Sequence, residues 1–259
     1  MGYKYETHLH TSTSSACGHS PGPEYISYYK ELGYTGIFVT DHFYLGNTCV
    51  DRSLPWREWA ERYCLAYREA HEEGLRQGLD VFFGWETTYE GDDYLVYGLD
   101  EEWLKAHPEV ITWTVPEQYR AVRAAGGMVI QAHPFRERGY MNAIHLHPYD
   151  CDGWEIANAG NEPYQDALAY RYAMNHGLKI TAGSDIHRVG AEPSRVFGME
   201  FDTPLTSALD YVRRFLSGET GRPVFPADRV DPSYIREPDL PMYFHHADGS
   251  VTNPDQAPE

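Results

Sequence analysis

Basic residues are scarce in this chain. Its 259 residues carry 21 Lys and Arg against 39 Asp and Glu, a formal net charge of −18. Nucleic-acid backbones and anionic lipid both require clustered Lys and Arg to displace counterions, so neither a nucleic acid polymer nor a membrane surface is an expected partner. No block of like charge resembles a binding tail. The four cysteines, Cys17, Cys49, Cys64 and Cys151, form no CxxC pair and read as free thiols of a reducing cytoplasm. The opening MGYKYETH has no apolar run of the kind a signal peptide needs, and Glu6 occupies the Ser/Thr position of a myristoylation signal. No apolar stretch approaches the ~20 residues that cross a bilayer. The expectation is a cytoplasmic protein.

What the chain does have is a core. A hydrophobic content of 42% with 14% aromatics fits one large domain, and α/β barrels of this length are common. Apolar runs at KYETHLH (4–10), GIFVTDH (36–42), DVFFGWET (80–87), GMVIQAHPF (127–135), GWEIAN (153–158) and KITAGSDIH (179–187) read as strands. Segments 23–32, 56–77, 116–125, 163–176 and 205–216 carry the 3.6-residue spacing of helices. Pro23 and Pro116 suit first helical turns, and Gly33, Gly126 and Gly177 sit where helices should stop. Strands alternating with helices predict parallel pairing. GDDYLVYG (91–98) reads as an extra extended segment. We place the main domain at 1–220 and a Pro-rich extension, packed on it or trailing from it, at 221–259.

The polar tips of the strands share a feature. THLH, TDH, GWE, QAHP, WEIAN and GSDIH each put His, Asp, Glu or Asn at a strand's carboxyl end. Side chains at i and i+2 of a strand point the same way, so His8 and His10 converge, as do Asp185 and His187. In a βα barrel all these ends meet on one face. The repetition is the signal, more than any single HxH. Asp41 is expected to brace a loop or a histidine rather than bind a metal. Glu155 and Asn158 read equally as site groups or as loop-ordering groups. His145 and His147 form a second HxH with no apolar strand before it, which places them on a loop. His176 suits a helix carboxyl end, His71 a charged helix face and His107 a loop. His245 and His246 lie in the extension with no expected catalytic part.

With HLHT, TDH, GWE, QAHP and GSDIH in this order, residues 5 to about 190 resemble the polymerase and histidinol phosphatase (PHP) family of metal-dependent phosphoesterases. The resemblance implies a distorted (β/α)7 TIM-like barrel with two to three divalent ions at the strand carboxyl ends. It places His8, His10, Glu86 and Asp185 on a first ion, with Glu86 bridging to a second that His133 also holds. His19, His42 and His187 would hold a third. Many members read GHxLVYG where this chain has GDDYLVYG, so Asp93 stands in for a histidine, with Asp92 beside it. Imidazole and carboxylate ligands suit Zn, Mn or Fe.

The implied activity is hydrolysis of a small phosphate monoester (histidinol phosphate, a nucleotide or a sugar phosphate) by a metal-bridging hydroxide. Glu86 and Asp185 would be central to it. Arg136 in HPFRER and Arg188 in SDIHRVG follow ligand motifs, and each reads equally as a phosphate fork or a surface arginine in a salt bridge. Two rivals stand beside this reading. An amidohydrolase-type C–N or C–O hydrolase also opens with HxH, but many bridge their metals through a carbamylated lysine. The four lysines here, Lys4, Lys30, Lys105 and Lys179, open strands or lie in helical segments. The other rival is a non-catalytic barrel whose metals only stabilise it. Specificity should lie in loops 43–55, 136–150 and 188–197, and oligomeric state is not readable.

Overall fold

The computed structural model describes residues 2–253. The strands are β1 (Tyr3–Glu6), β2 (Gly36–Val39), β3 (Asp80–Tyr89), β4 (Asp92–Tyr97), β5 (Met128–Gln131), β6 (Ile144–Leu146), β7 (Gly153–Asn158), β8 (Ile180–Gly183), β9 (Gly198–Phe201), β10 (Arg222–Val224), β11 (Met242–His245) and β12 (Val251–Thr252). The helices are α1 (Gly22–Glu31), α2 (Trp56–Tyr63), α3 (Leu65–Gln77), α4 (Glu101–Ala106), α5 (Val115–Ala124), α6 (Pro163–His176) and α7 (Ala208–Ser217). None of the helices in the described residues is long and apolar enough to cross a membrane.

Nine strands form one curled sheet in the order β10-β9-β1-β2-β3-β4-β5-β7-β8, and β8 comes back against β9 and β10 to nearly close a barrel. All six predicted strands are present, as β1, β2, β3, β5, β7 and β8, and they run parallel to one another. Strands such as GIFV in β2 and MVIQ in β5 are buried along their whole length, as strands covered on both faces must be. The expectation of parallel pairing fails at two places. The extended segment at 91–98 becomes β4, inserted antiparallel between β3 and β5, and β9 returns antiparallel to β1. The hairpin between β3 and β4 is too short for the crossover that parallel strands require.

Helix limits follow local chemistry. Gly33, Gly126 and Gly177 have φ of 74°, 91° and 64°, a left-handed backbone that glycine adopts without a Cβ clash. Glu117 reaches back to accept the Thr114 backbone N–H at 2.8 Å, which fixes the start of α5. The single helix predicted over 56–77 is two, broken at Cys64. Under the barrel, α7 packs Tyr211, Val212 and Phe215 against Tyr5, Phe38, Tyr97 and Met128. That plug fills the amino-terminal end of the parallel strands and leaves the carboxyl ends for polar groups.

The described part of the extension, residues 221–253, is built into the molecule. β10 adds to the edge of the main sheet, and β11 pairs in parallel with β6 while β12 pairs antiparallel with β11, making a second, three-stranded sheet. His145 is therefore on a strand, not the loop expected for it, because its partner strand lies far along the chain.

Candidate metal centre

Two bridges carry the pairing past the ends of β1, β2 and β8, Leu9 to Ile186 and His42 to Glu86, the latter within β3. They hold the polar tips of β1, β2, β3 and β8 side by side. Glu6, fully buried, ties two of these tips together: Oε1 accepts the N–H of His8 at 2.8 Å and of Ser184 at 2.9 Å, and Oε2 accepts the Tyr29 hydroxyl at 2.6 Å. Backbone strain accumulates here. His133 and Asp185 have φ of 29° and 53°, values a non-glycine residue keeps only where its surroundings enforce them.

Glu86 lies at the centre, wholly buried. Its Oε1 is 3.0 Å from His8 Nε2 and 3.2 Å from His133 Nε2. Its Oε2 is 2.7 Å from His42 Nδ1 and 3.5 Å from His10 Nε2. Asp185 Oδ1 approaches His10 Nε2 at 3.0 Å and His8 Nε2 at 3.6 Å. His8 Nε2 and His10 Nε2 face each other at 3.1 Å. Three groups of donor atoms result: His8 with Glu86 and His133, His8 with His10 and Asp185, and His10 with His42 and His187.

These atoms satisfy one another only in part: His133 Nε2 is hydrogen-bonded to Glu86 Oε1. His42 Nδ1 and Glu86 Oε2 are buried and, despite their separation, neither makes a hydrogen bond. A buried imidazole nitrogen and carboxylate oxygen left unpaired this close together suit a shared cation, and the donor set, imidazole and carboxylate, fits a divalent ion. Glu155 supports this arrangement. It receives His8 Nδ1 at 3.0 Å, the His133 N–H at 3.1 Å and Asn158 Nδ2 at 2.8 Å, so His8 turns Nε2 towards Glu86. Asp41 accepts the Thr11 N–H at 2.6 Å and the Ser15 hydroxyl at 2.6 Å, and Ser15 Oγ lies 3.3 Å from His10 Nδ1. Gly183 must be glycine, since a Cβ there would lie 2.5 Å from both Glu155 Oε1 and His8 Cβ.

Charge placement decides the protonation of these groups. Burial alone would push His8 down and Glu86 up. Glu155, Asp185 and Glu86 instead hold His8 well above the usual imidazole range, while His8, His42 and His10 hold Glu86 well below the carboxylate range. Burial opposes Asp185 too, and Arg136 and His8 overcome it to keep its pKa low. Burial and the neighbouring His42 and His187 depress His10. Burial, reinforced by Glu86, lifts Asp93 to about 7.

No family profile matches the sequence, and no curated protein does. Solved structures do match. One is described as a metal-dependent phosphoesterase from Bifidobacterium adolescentis, at 18% identity and a TM-score of 0.51, covering 72% of this chain and 88% of that one. A second, from Bacteroides vulgatus, is a two-domain protein described as containing a PHP-like metal-dependent phosphoesterase. It shares 14% identity and a TM-score of 0.54, over 87% of this chain and 65% of that one. The chain has a PHP-type barrel fold. An amidohydrolase from Chromobacterium violaceum also matches the fold of this chain, at 16% identity and a TM-score of 0.50, over 86% of this chain and 98% of that one. The chain's barrel thus resembles proteins described as a phosphoesterase and as an amidohydrolase, and the likeness concerns architecture alone.

Within this PHP-type barrel the structure gathers His8, His10, His42, Glu86, His133, Asp185 and His187. Asp93, on β4, puts Oδ2 3.7 Å from His133 Nε2, at the edge of the group. His19 is exposed and belongs to none of the three donor groups among the described residues; His10 stands with His42 and His187 instead. Only the His19 backbone is engaged there, its N–H donating to His187 O at 2.7 Å. Arg136 is no surface arginine: its side chain is 11% exposed and pairs with Asp185 Oδ2 at 2.7 Å. Arg188 is exposed and borders a neighbouring depression. Sequence reasoning left Glu155 undecided and passed over Cys17. That thiol sits with His42 and His187 in the cleft wall, and although burial opposes it, hydrogen bonds with the two imidazoles bring its pKa down to about 6. A lone cysteine in a Ser/Gly loop carries no pattern that could have marked it.

Proposed function

We propose that this PHP-type protein is a metal-dependent phosphoesterase that hydrolyses small phosphate monoesters. The observation that carries the reading is the Glu86 carboxylate, shared by imidazoles on both of its oxygens, with the Arg136 guanidinium alongside it at Asp185. His8, His10, Glu86 and Asp185 would hold one ion, Glu86 and His133 with Asp93 a second, and His42 and His187 a third, joined by His10. Bound there, divalent ions would lower the pKa of water and offset the charge of a phosphate group. The protein's own contribution is binding and alignment. Arg136 spends one N–H each on Asn161, Asp185 and Asn158, which leaves one N–H on each terminal nitrogen for phosphate oxygens.

The cleft supports a small substrate. It has a volume of about 780 Å³ and its walls include Cys17, His42, Asp93, Arg136, Arg138 and Tyr140. That volume suits a small molecule, and the acidic exterior works against a polyanion.

The amidohydrolase reading keeps support from the shared fold, and the lysines weigh against it. Lys4 donates to Leu32 O, Lys30 to Gln77 O, Lys179 to Phe215 O, and Lys105 pairs with Glu102. Each is held away from the histidine cluster, so a carbamylated lysine has no candidate, and Glu86 would take the bridging place instead.

The test is phosphate release from histidinol phosphate, nucleoside monophosphates, nucleotide bisphosphates, sugar phosphates and p-nitrophenyl phosphate by protein loaded with Mn or Zn. Metal-dependent release is the expected result. Silence across the panel from protein shown to carry its metals would overturn the reading.

A further inference from the structure

Arg136 does not hold its position unaided. Its Nε donates to Asn161 Oδ1 at 2.8 Å and its Nη2 to Asn158 Oδ1 at 2.7 Å. Each amide oxygen faces the arginine because the amide nitrogen is committed elsewhere. Asn158 Nδ2 donates to Glu155, and Asn161 Nδ2 donates to Asp166 Oδ1 at 2.8 Å. Asp166 also receives the Asn158 N–H at 3.3 Å. Asp166 lies on α6 and is fully buried, so an unpaired charge there would be costly.

The compensating cation comes from the C-terminal extension. Arg229 donates to Asp166 Oδ2 through Nε at 2.9 Å and Nη2 at 2.6 Å, and the same Nη2 reaches Asn158 O and Asn161 O, each at 2.9 Å. A single guanidinium thus grips both ends of the turn that presents the two amides. The turn also leaves no slack, because a Cβ on Gly160 would lie 3.0 Å from Arg136 Nη2 and 3.1 Å from Asn158 Oδ1.

We propose that Arg229 is a positioning residue for the cleft, acting through Asp166, Asn158 and Asn161 to aim Arg136. The extension then sets the strength of anion binding rather than merely covering the barrel. Without Arg229, Asp166 takes up a proton or draws in water, Asn161 loses the contact that fixes its amide, and Arg136 loses its aim. The functional part of this inference rests on the reading of Arg136 as the group that grips phosphate.

The test uses the full chain carrying Arg229→Lys, which keeps a cation beside Asp166 but removes the fork. Arg236→Met is the control. Arg236 is another cation of the extension, 3.7 Å over the Tyr164 ring and 3.9 Å from Glu137, with no bond to the 158–161 turn. In 15N-labelled protein the Arg136 Nε–H signal, identified by its loss in Arg136→Lys, should move or broaden in Arg229→Lys and stay in place in Arg236→Met. Inorganic phosphate titrated into Mn-loaded protein should bind roughly tenfold more weakly to Arg229→Lys, the scale of supporting contacts around a site. Adding Arg229→Lys to Arg136→Lys should weaken it no further. Should Arg229→Lys fail to fold, Asp166→Asn is expected to give the same two losses. An unmoved Arg136 signal, or equal weakening in the Arg136→Lys background, overturns the proposal. A moved signal in a protein whose wild type binds no phosphate leaves the positioning role standing and removes the phosphoesterase reading instead.

Discussion

This barrel contains two histidine clusters, and they differ in what their nitrogens meet. At the strand ends, His8, His10, His42, His133 and His187 surround two buried carboxylates, and His42 Nδ1 and Glu86 Oε2 are left without a hydrogen bond. Between β6 and β11, His147 and His245 stack at 3.8 Å, and His145 Nδ1 lies 3.0 Å from His245 Nε2. His147 Nδ1 has Asp150 at 3.2 Å, while His145 turns its other nitrogen to Glu90 at 3.4 Å. Among the described residues, the first cluster gathers three groups of donor atoms able to share an ion and leaves His42 Nδ1 and Glu86 Oε2 unpaired, whereas the second forms no such group and leaves no buried nitrogen unpaired. Residue type is the same in both places. Direction separates a site from packing.

The sharpest break of that comparison is Glu86→Gln. Removing the shared charge should abolish turnover and strip metal from the barrel, measured by phosphate release and by metal analysis of the purified protein. Near-normal values for both would end the assignment. Next in size is Glu155→Gln, which loosens His8 without touching a donor group, with an expected fall of about 10–100-fold in metal affinity. Isothermal titration with Zn or Mn checks it, and an unchanged affinity would mean that His8 needs no such support.

The pH dependence of metal uptake is a third test. His8 is held above its ordinary pKa by Glu155, Asp185 and Glu86, so the metal-free protein carries a proton there at neutral pH. An entering cation must displace that proton, so affinity should rise with pH by up to about tenfold per unit until His8 is neutral. Titration between pH 6 and 8 in buffers of different ionisation heat would also count the released proton. Affinity independent of pH would contradict the charge arrangement.

The smallest effects belong to the other cluster and to the thiols. His145→Ala should leave metal content unchanged and cost about 1 kcal/mol of stability in thermal unfolding, the usual scale for one substitution. Loss of metal in this variant would erase the distinction between the clusters. In metal-free protein Cys17 should react with iodoacetamide with a midpoint near pH 6, whereas burial pushes Cys151 up to about 12 and keeps it slow. Peptide mapping of the alkylated protein separates the two.

Much of this was legible from local pattern. Apolar runs ended by His, Asp or Glu located β1, β2, β3, β5, β7 and β8, because alternation along a strand fixes which neighbours share a side. The break at Cys64 was not legible, since the apolar spacing continues through it. Nor was the pairing of β6 with β11, which joins segments about a hundred residues apart. His19, expected beside His42 and His187, lies outside the three donor groups among the described residues, and its loop has no periodicity to say which way a side chain points. Glu155 and Asn158 showed their residue types but not their duties, which are set by contacts with His8, His133 and Arg136.

The sequence by itself determined the barrel and the order in which potential ligands occur along it, because hydrophobic periodicity and strand polarity are local properties. Only the tertiary structure decided which lone pairs converge, which arginine is buried against Asp185, and that Arg229 of the extension reaches the turn behind Arg136. Those outcomes depend on angles and separations of a few ångströms between segments far apart in the chain, and no local pattern carries them.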